Sequence, residues 1–137
     1  MKQLLIIIIS FICVRAYSQG SDKGYPIFSY KGISHEIVVM DVNNQIDSLL
    51  SKYLTDNLPL NIYDGCIFRL RVKLFINKKG HAKIIRTFSD TPKVLVKQIN
   101  SLLKLVTFQP AMNKSKYCSF TANVMLLLDF TRPWDLN

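Results

Sequence analysis

From Arg69 to Phe130 the chain reads as a strand, a tight turn, a second strand, an amphipathic helix and a third strand, and this order constrains the fold more than any other feature. Leu70, Val72, Leu74 and Ile76 alternate with Arg69, Arg71, Lys73 and Phe75, the period of two expected of a strand with one buried and one wetter face. Asn77-Lys78-Lys79-Gly80 supplies the turn, with Gly80 free to take the positive φ a hairpin needs. The return strand, about Ala82 to Phe88, alternates less cleanly, placing Ala82, Ile84 and Phe88 on one face with Arg86 among them. Ser89-Asp90-Thr91 offers helix caps and Pro92 suits a first helical turn. The helix expected from Lys93 to Val106 carries Leu95, Ile99, Leu102, Leu103 and Val106 on one side. The third strand sets Phe120, Ala122, Val124, Leu126, Leu128 and Phe130 against Thr121, Asn123, Met125, Leu127 and Asp129.

Connectivity follows from geometry. A hairpin followed by a helix that returns the chain to its starting end makes the third strand antiparallel to the first, through a right-handed crossover. The expected fold class is α+β: a small antiparallel three-stranded sheet of order 2-1-3 with ββαβ topology, plus a preceding helix packed on one face. The third strand is then a sheet edge, and an unpaired edge invites a partner strand.

Ahead of this unit, Leu4 to Val14 is an uncharged apolar run of eleven residues behind Lys2, and Ala16-Tyr17-Ser18 puts small residues at the cleavage-determining positions. A bilayer-spanning helix needs about 20 residues, so residues 1–18 are read as a signal peptide. Residues 19–40 are expected to form an extended arm, without regular structure from Ser21 to Ile33 and with a short strand within His35 to Met40. Residues 41–64 are read as a helix and leading loop. That helix would be capped by Asp41 or Asn43 and run to about Asp56, with Ile46, Leu49, Leu50, Tyr53 and Leu54 on one face, before Leu58-Pro59 ends it. Residues 65–131 are the sheet unit and 132–137 a tail.

The formal charge of +9 falls to +7 if Lys2 and Arg15 leave with the signal. A basic exported chain is drawn to anionic envelope components, so peripheral association with a membrane is a partner class that composition leaves open. Arg69, Arg71 and Lys73 followed by Phe75 on one strand face would also suit a single nucleic-acid strand, but export argues against nucleic acid as a partner.

Catalytic and metal chemistry finds no constellation here. His35 and His81 are far apart, the nine acids are scattered, and the adjacent pair His35-Glu36 lacks ligand spacing. Gly-rich phosphate loops, Gly-x-Ser-x-Gly and Cys-x-x-Cys are absent. The expectation is a non-enzyme with no cofactor and no metal. Cys66 opens the first strand of the unit and Cys118 the third, at opposite ends of a span of roughly 30 Å, so no bridge between them is expected.

In its order and spacing the unit resembles the C-terminal domain of the TonB family, envelope proteins that carry energy to outer-membrane receptors. The residues behind the resemblance are Gly65 ahead of the first strand, the alternating Val72, Leu74 and Ile76, the turn ending in Gly80, the helix, Phe108-x-Pro110-Ala111, and a last strand ending in Phe130. The resemblance implies a binding module in the periplasm or outer envelope. An extended peptide or protein segment, such as the periplasmic part of an outer-membrane receptor, would add alongside the last strand. The partner-binding residues would be Thr121, Asn123, Met125, Leu127 and Asp129, while Gly65, Gly80, Phe108, Pro110, Ala111 and Phe130 would be structural. Two alternatives stay open at this point. One is a homodimer through the same edge. The other is an atypical transducer for transport, held in the inner membrane by an uncleaved N-terminal segment and departing from its family in the missing Pro-rich spacer.

Overall fold

A computed structural model describes residues 24–40, 44–88 and 90–131. The expected signal peptide, the first residues of the arm and the tail lie outside the described residues. The elements run β1 (Ile27–Tyr30), β2 (Ile33–Glu36), α1 (Ser48–Asn57), α2 (Leu60–Tyr63), β3 (Ile67–Ile76), β4 (Ala82–Thr87), α3 (Lys93–Leu103), β5 (Ala111–Asn113), β6 (Lys116–Cys118) and β7 (Phe120–Asp129). The fold is α+β. Its principal sheet has the order β4-β3-β7, antiparallel throughout, which is the 2-1-3 arrangement the sequence implies.

β3 and β7 pair over ten residues in continuous register, from Ile67 opposite Asp129 to Ile76 opposite Phe120. Leu70, Val72, Leu74 and Ile76 of β3 and the even-numbered residues of β7 are buried, meeting Leu95, Ile99 and Leu103 of α3 and Leu49, Leu50, Tyr53 and Leu54 of α1 in one core. Phe130 ends that core in a ring cluster, 5.5 Å from the Tyr63 ring and 6.3 Å from that of Phe68.

The uneven alternation of the return strand is a β-bulge. Lys73 stands opposite Arg86 but Leu74 opposite Ile84, so Ile85 has no counterpart. The extra residue inverts the alternation. Ala82 and Ile84 face the core, whereas Arg86 and Phe88 turn to the other face, where Phe88 is 40% exposed. Phe88 is thus not the partner of Ala82 and Ile84 that a strict period of two makes it.

Four other expectations need correction. The arm is not irregular after Pro26: Ile27–Tyr30 and Ile33–Glu36 form a hairpin closed by Lys31 and Gly32, both at positive φ, and the strand expected within His35–Met40 ends at Glu36. Helix α1 starts at Ser48, not at Asp41 or Asn43, because Asp47 is the residue whose side chain takes the Leu50 N–H. Between the Phe-x-Pro-Ala stretch and the last strand a second hairpin, β5-β6, turns through Lys114 and Ser115. α3 ends at Leu103 rather than Val106, and its N-cap position, Pro92, makes no side-chain capping bond.

The motif residues have structural work. Gly80 sits at φ +85°, and a Cβ there would lie 2.0 Å from the carbonyl oxygen of Phe108. The Phe108 N–H donates to Gly80 O at 2.9 Å, so the hairpin turn and the Phe-x-Pro-Ala segment are in backbone contact. Phe108 itself is buried against Phe28, ring centroids 5.1 Å apart. Pro110 leads into Ala111, buried as the first residue of β5. Gly65, at φ +81°, donates its N–H to Phe130 O at 3.0 Å and the Phe130 N–H donates to Cys66 O at 2.8 Å, extending the β3–β7 ladder past its end. Cys66 is a free thiol, consistent with the absence of a Cys66–Cys118 bridge.

Candidate functional site: the outer edge of the last strand

In an antiparallel pair the residues of an outer strand alternate between turning their backbone groups to the neighbour and turning them outward. In β7 the even-numbered residues face β3. Thr121, Asn123, Met125, Leu127 and Asp129 therefore present their N–H and C=O groups at the outer edge. The structure brings the five expected binding residues onto one line, and their side chains share the sheet face away from the helices, Thr121 exposed and the other four half-buried.

The centre of that line is already occupied. The Asp47 N–H donates to Met125 O at 3.0 Å, and Ile46 forms a parallel bridge to Met125. The Leu127 N–H donates to Ser51 Oγ at 3.0 Å. Ser51 in turn donates its hydroxyl to Asp47 O at 2.6 Å. The N-terminal turn of α1 thus lies along β7 as a short internal strand followed by a side-chain cap. The edge that sequence alone left open is filled over Met125 and Leu127.

Asp47 organises this arrangement. Its side chain is fully buried, with Oδ1 accepting from the Leu50 N–H and Oδ2 from the Val38 N–H, each at 3.0 Å. His35 Nε2 lies 2.9 Å from Oδ1 without the alignment of a hydrogen bond. One carboxyl group therefore caps α1, ties the segment after β2 to it and contacts the hairpin. Had residue 47 been apolar, the Val38 and Leu50 N–H groups would have lost their acceptors. Met40 is buried at the same place, its Sδ 3.4 Å from Arg71 Nε.

The opposite edge, β4, is treated differently. The Ile84 N–H donates to Asn100 Oδ1 of α3 at 2.8 Å, and the bulge with Lys83, Ile85 and Arg86 exposed makes the rest of it a poor strand template.

At the far end of α1, Asp56 accepts a hydrogen bond from Tyr30 Oη at 3.0 Å and pairs with Lys52 at 3.3 Å and Lys31 at 3.7 Å. Burial acts to raise its carboxyl pKa. The bonds from Tyr30 and Lys52 and the charges of Lys52 and Lys31 outweigh that and hold it below the ordinary value. Tyr53 and Tyr63 are both pushed up by burial, and each donates its hydroxyl to α3: Tyr53 to Leu102 O at 2.6 Å, Tyr63 to Gln98 Oε1.

Among the described residues no three His, Cys, Asp or Glu side chains converge as a metal site, and no helix is long and apolar enough to cross a membrane. Asp47 and Ser51 are the site residues that sequence reasoning missed. Ser51, a polar residue on the apolar side of an amphipathic helix beside Leu50 and Leu54, was the available signal. No protein-family model, curated protein or solved structure matches the chain.

Proposed function

We propose that this chain is an exported binding module of the TonB C-terminal kind, which takes up an extended peptide or protein segment alongside β7 in the cell envelope. The observation that carries the reading is the docking of the chain's own residues 46–51 on that edge. The bridge at Met125 and the Ser51 cap at Leu127 support the reading as an internal counterpart of strand addition, in which backbone groups give the attraction and the half-buried odd-numbered side chains beside them set preference. A partner segment adds first at Thr121, the exposed end of the edge, and reaches Met125 and Leu127 by displacing residues 46–47 and the Ser51 hydroxyl. Its apparent affinity is lowered by the stability of that internal contact, so the module favours partners that match it over several residues.

Amide hydrogen exchange tests this with decapeptides selected from a random displayed library. A bound peptide is expected to slow exchange at outward-facing Thr121 while leaving Ala122 and Val124, already bonded to β3, unchanged. Thr121→Pro, which removes an outward N–H but no β3–β7 bond, is expected to weaken binding at least tenfold at unchanged melting temperature. Selected peptides that bind Thr121→Pro equally well, or protect only residues away from β7, would overturn the reading.

A further inference from the structure

The face of the sheet turned away from the helices concentrates charge of one sign. β3 places Arg69, Arg71 and Lys73 on it at two-residue intervals, roughly 7 Å apart. Lys83 lies opposite Phe75, and Arg86 opposite Lys73 in the neighbouring strand about 5 Å away. Asp129 is the one acidic residue in the three strands, at the far corner opposite Ile67. None of the five cations forms an ion pair with a described residue.

Apolar side chains accompany them at the β4 margin. Ile85, left without a partner by the bulge, is 47% exposed and Phe88 40% exposed. The chemistry of this margin decides between anionic partners. A nucleic-acid strand needs aromatic faces on which bases stack. Here Arg86 lies over the Phe88 ring at 4.9 Å, Phe75 is half-buried, and Ile85 offers no stacking surface. A flat cationic face rimmed by an aliphatic and an aromatic side chain instead matches the headgroup boundary of a bilayer, where cations meet phosphates and apolar groups enter just below.

We infer that this face docks on a membrane surface rich in anionic phospholipid, with Arg69, Lys73, Lys83 and Arg86 against the headgroups, Arg71 beside them with its Nε on Met40 Sδ, and Ile85 and Phe88 at the acyl boundary. The inference uses the cations of β3 and β4 rather than the backbone edge of β7, whose odd-numbered side chains share this face, and it holds the molecule on a surface with the β7 edge at the side.

The test is co-sedimentation of the whole protein with phosphatidylcholine vesicles, with and without about one-third phosphatidylglycerol. The anionic vesicles are expected to bind the protein and the neutral ones to leave it in solution. Each surface cation contributes about fivefold to partitioning, so the double reversal Lys83→Glu with Arg86→Glu is expected to weaken binding by at least about 25-fold. Lys93→Glu with Lys97→Glu on α3 makes the same change in net charge on the opposite side and is expected to weaken binding much less. Ile85→Ser is expected to reduce the binding that persists at high salt. Circular dichroism melting shows that each variant is folded. Equal loss in the two double variants would reduce the effect to net charge and overturn the inference. Binding to neutral vesicles as strong as to anionic ones would overturn it as well. So would displacement from vesicles by single-stranded oligonucleotide but not by an equal charge of polyglutamate, which would assign the face to nucleic acid.

Discussion

The two outer strands of one three-stranded sheet face the same hazard, an unpaired row of backbone groups, and answer it in opposite ways. β7 is long, regular and covered from within by the bridge at Ile46 and the hydroxyl of Ser51. β4 is short, kinked by its bulge and flanked by charge, with only its Ile84 N–H held by Asn100. A regular edge keeps the backbone geometry that strand addition uses, even under an internal cover. A distorted edge has given that geometry up. On the proposed reading, β7 is the side of the sheet that receives a partner.

The contrast breaks most severely from the β4 side. Gly80→Ala puts a Cβ 2.0 Å from Phe108 O at a residue of positive φ and is expected to cost more than about 3 kcal/mol, seen as loss of the cooperative transition or a large fall in urea midpoint. Next comes the β7 cover. Asp47→Ala removes a helix cap worth about 1 kcal/mol and leaves the Val38 N–H without its acceptor, a further cost of about 2 kcal/mol. Urea unfolding should register the sum, and in whatever fraction remains folded the Leu127 amide should exchange faster.

Single-bond caps sharpen the comparison more gently. Ser51→Ala exposes the Leu127 N–H and Asn100→Ala the Ile84 N–H, each expected to cost about 1–2 kcal/mol. Only Ser51→Ala should raise the affinity for β7-binding peptides, since only that edge is regular enough to be extended. If Asn100→Ala raises it equally, the difference between the edges is not the one described. The smallest effect concerns pH. Asp56 anchors the far end of α1, and its depressed pKa means that its contribution is fully present above the ordinary value of 3.8 and is lost as pH falls through the lower folded value. The acid limb of the stability curve below about pH 4 should flatten in Asp56→Asn, measured by thermal melts across that range.

Much of the sheet was legible because β3 and β7 alternate over ten residues, and a period of two over that length admits one assignment of faces. The bulge at Ile85 showed only as a blemish, Arg86 among apolar residues, and its effect on Phe88 could not be read without the register. Lys31-Gly32 between two short alternating runs was a readable hairpin signal. Lys114-Ser115 was not, since neither residue advertises the positive φ it adopts. The line of odd-numbered residues on β7 followed from the same alternation, but its cover did not. Nothing local to Asp47 or Ser51 states that the start of α1 will lie against a strand some 75 residues later, because that contact is selected by the shared core beneath Leu50, Leu54, Val124 and Leu126.

The first described strand also carries a consequence for how the molecule is made. Ile27 exchanges backbone hydrogen bonds with Gln109, and the Met112 N–H donates to Gly24 O. A growing chain that has not yet reached residue 112 can set Phe28 and Tyr30 against Tyr53 but lacks the backbone partners of Gly24 and Ile27, and closing so long a loop is entropically slow. The last contacts of the β1-β2 hairpin therefore wait for the carboxy-terminal residues. If the sheet and α3 collapse before the β1-β2 hairpin closes over Phe108, refolding is expected to show an early phase at the β3 amides followed by a slower one at Ile27, measured by pulsed hydrogen exchange.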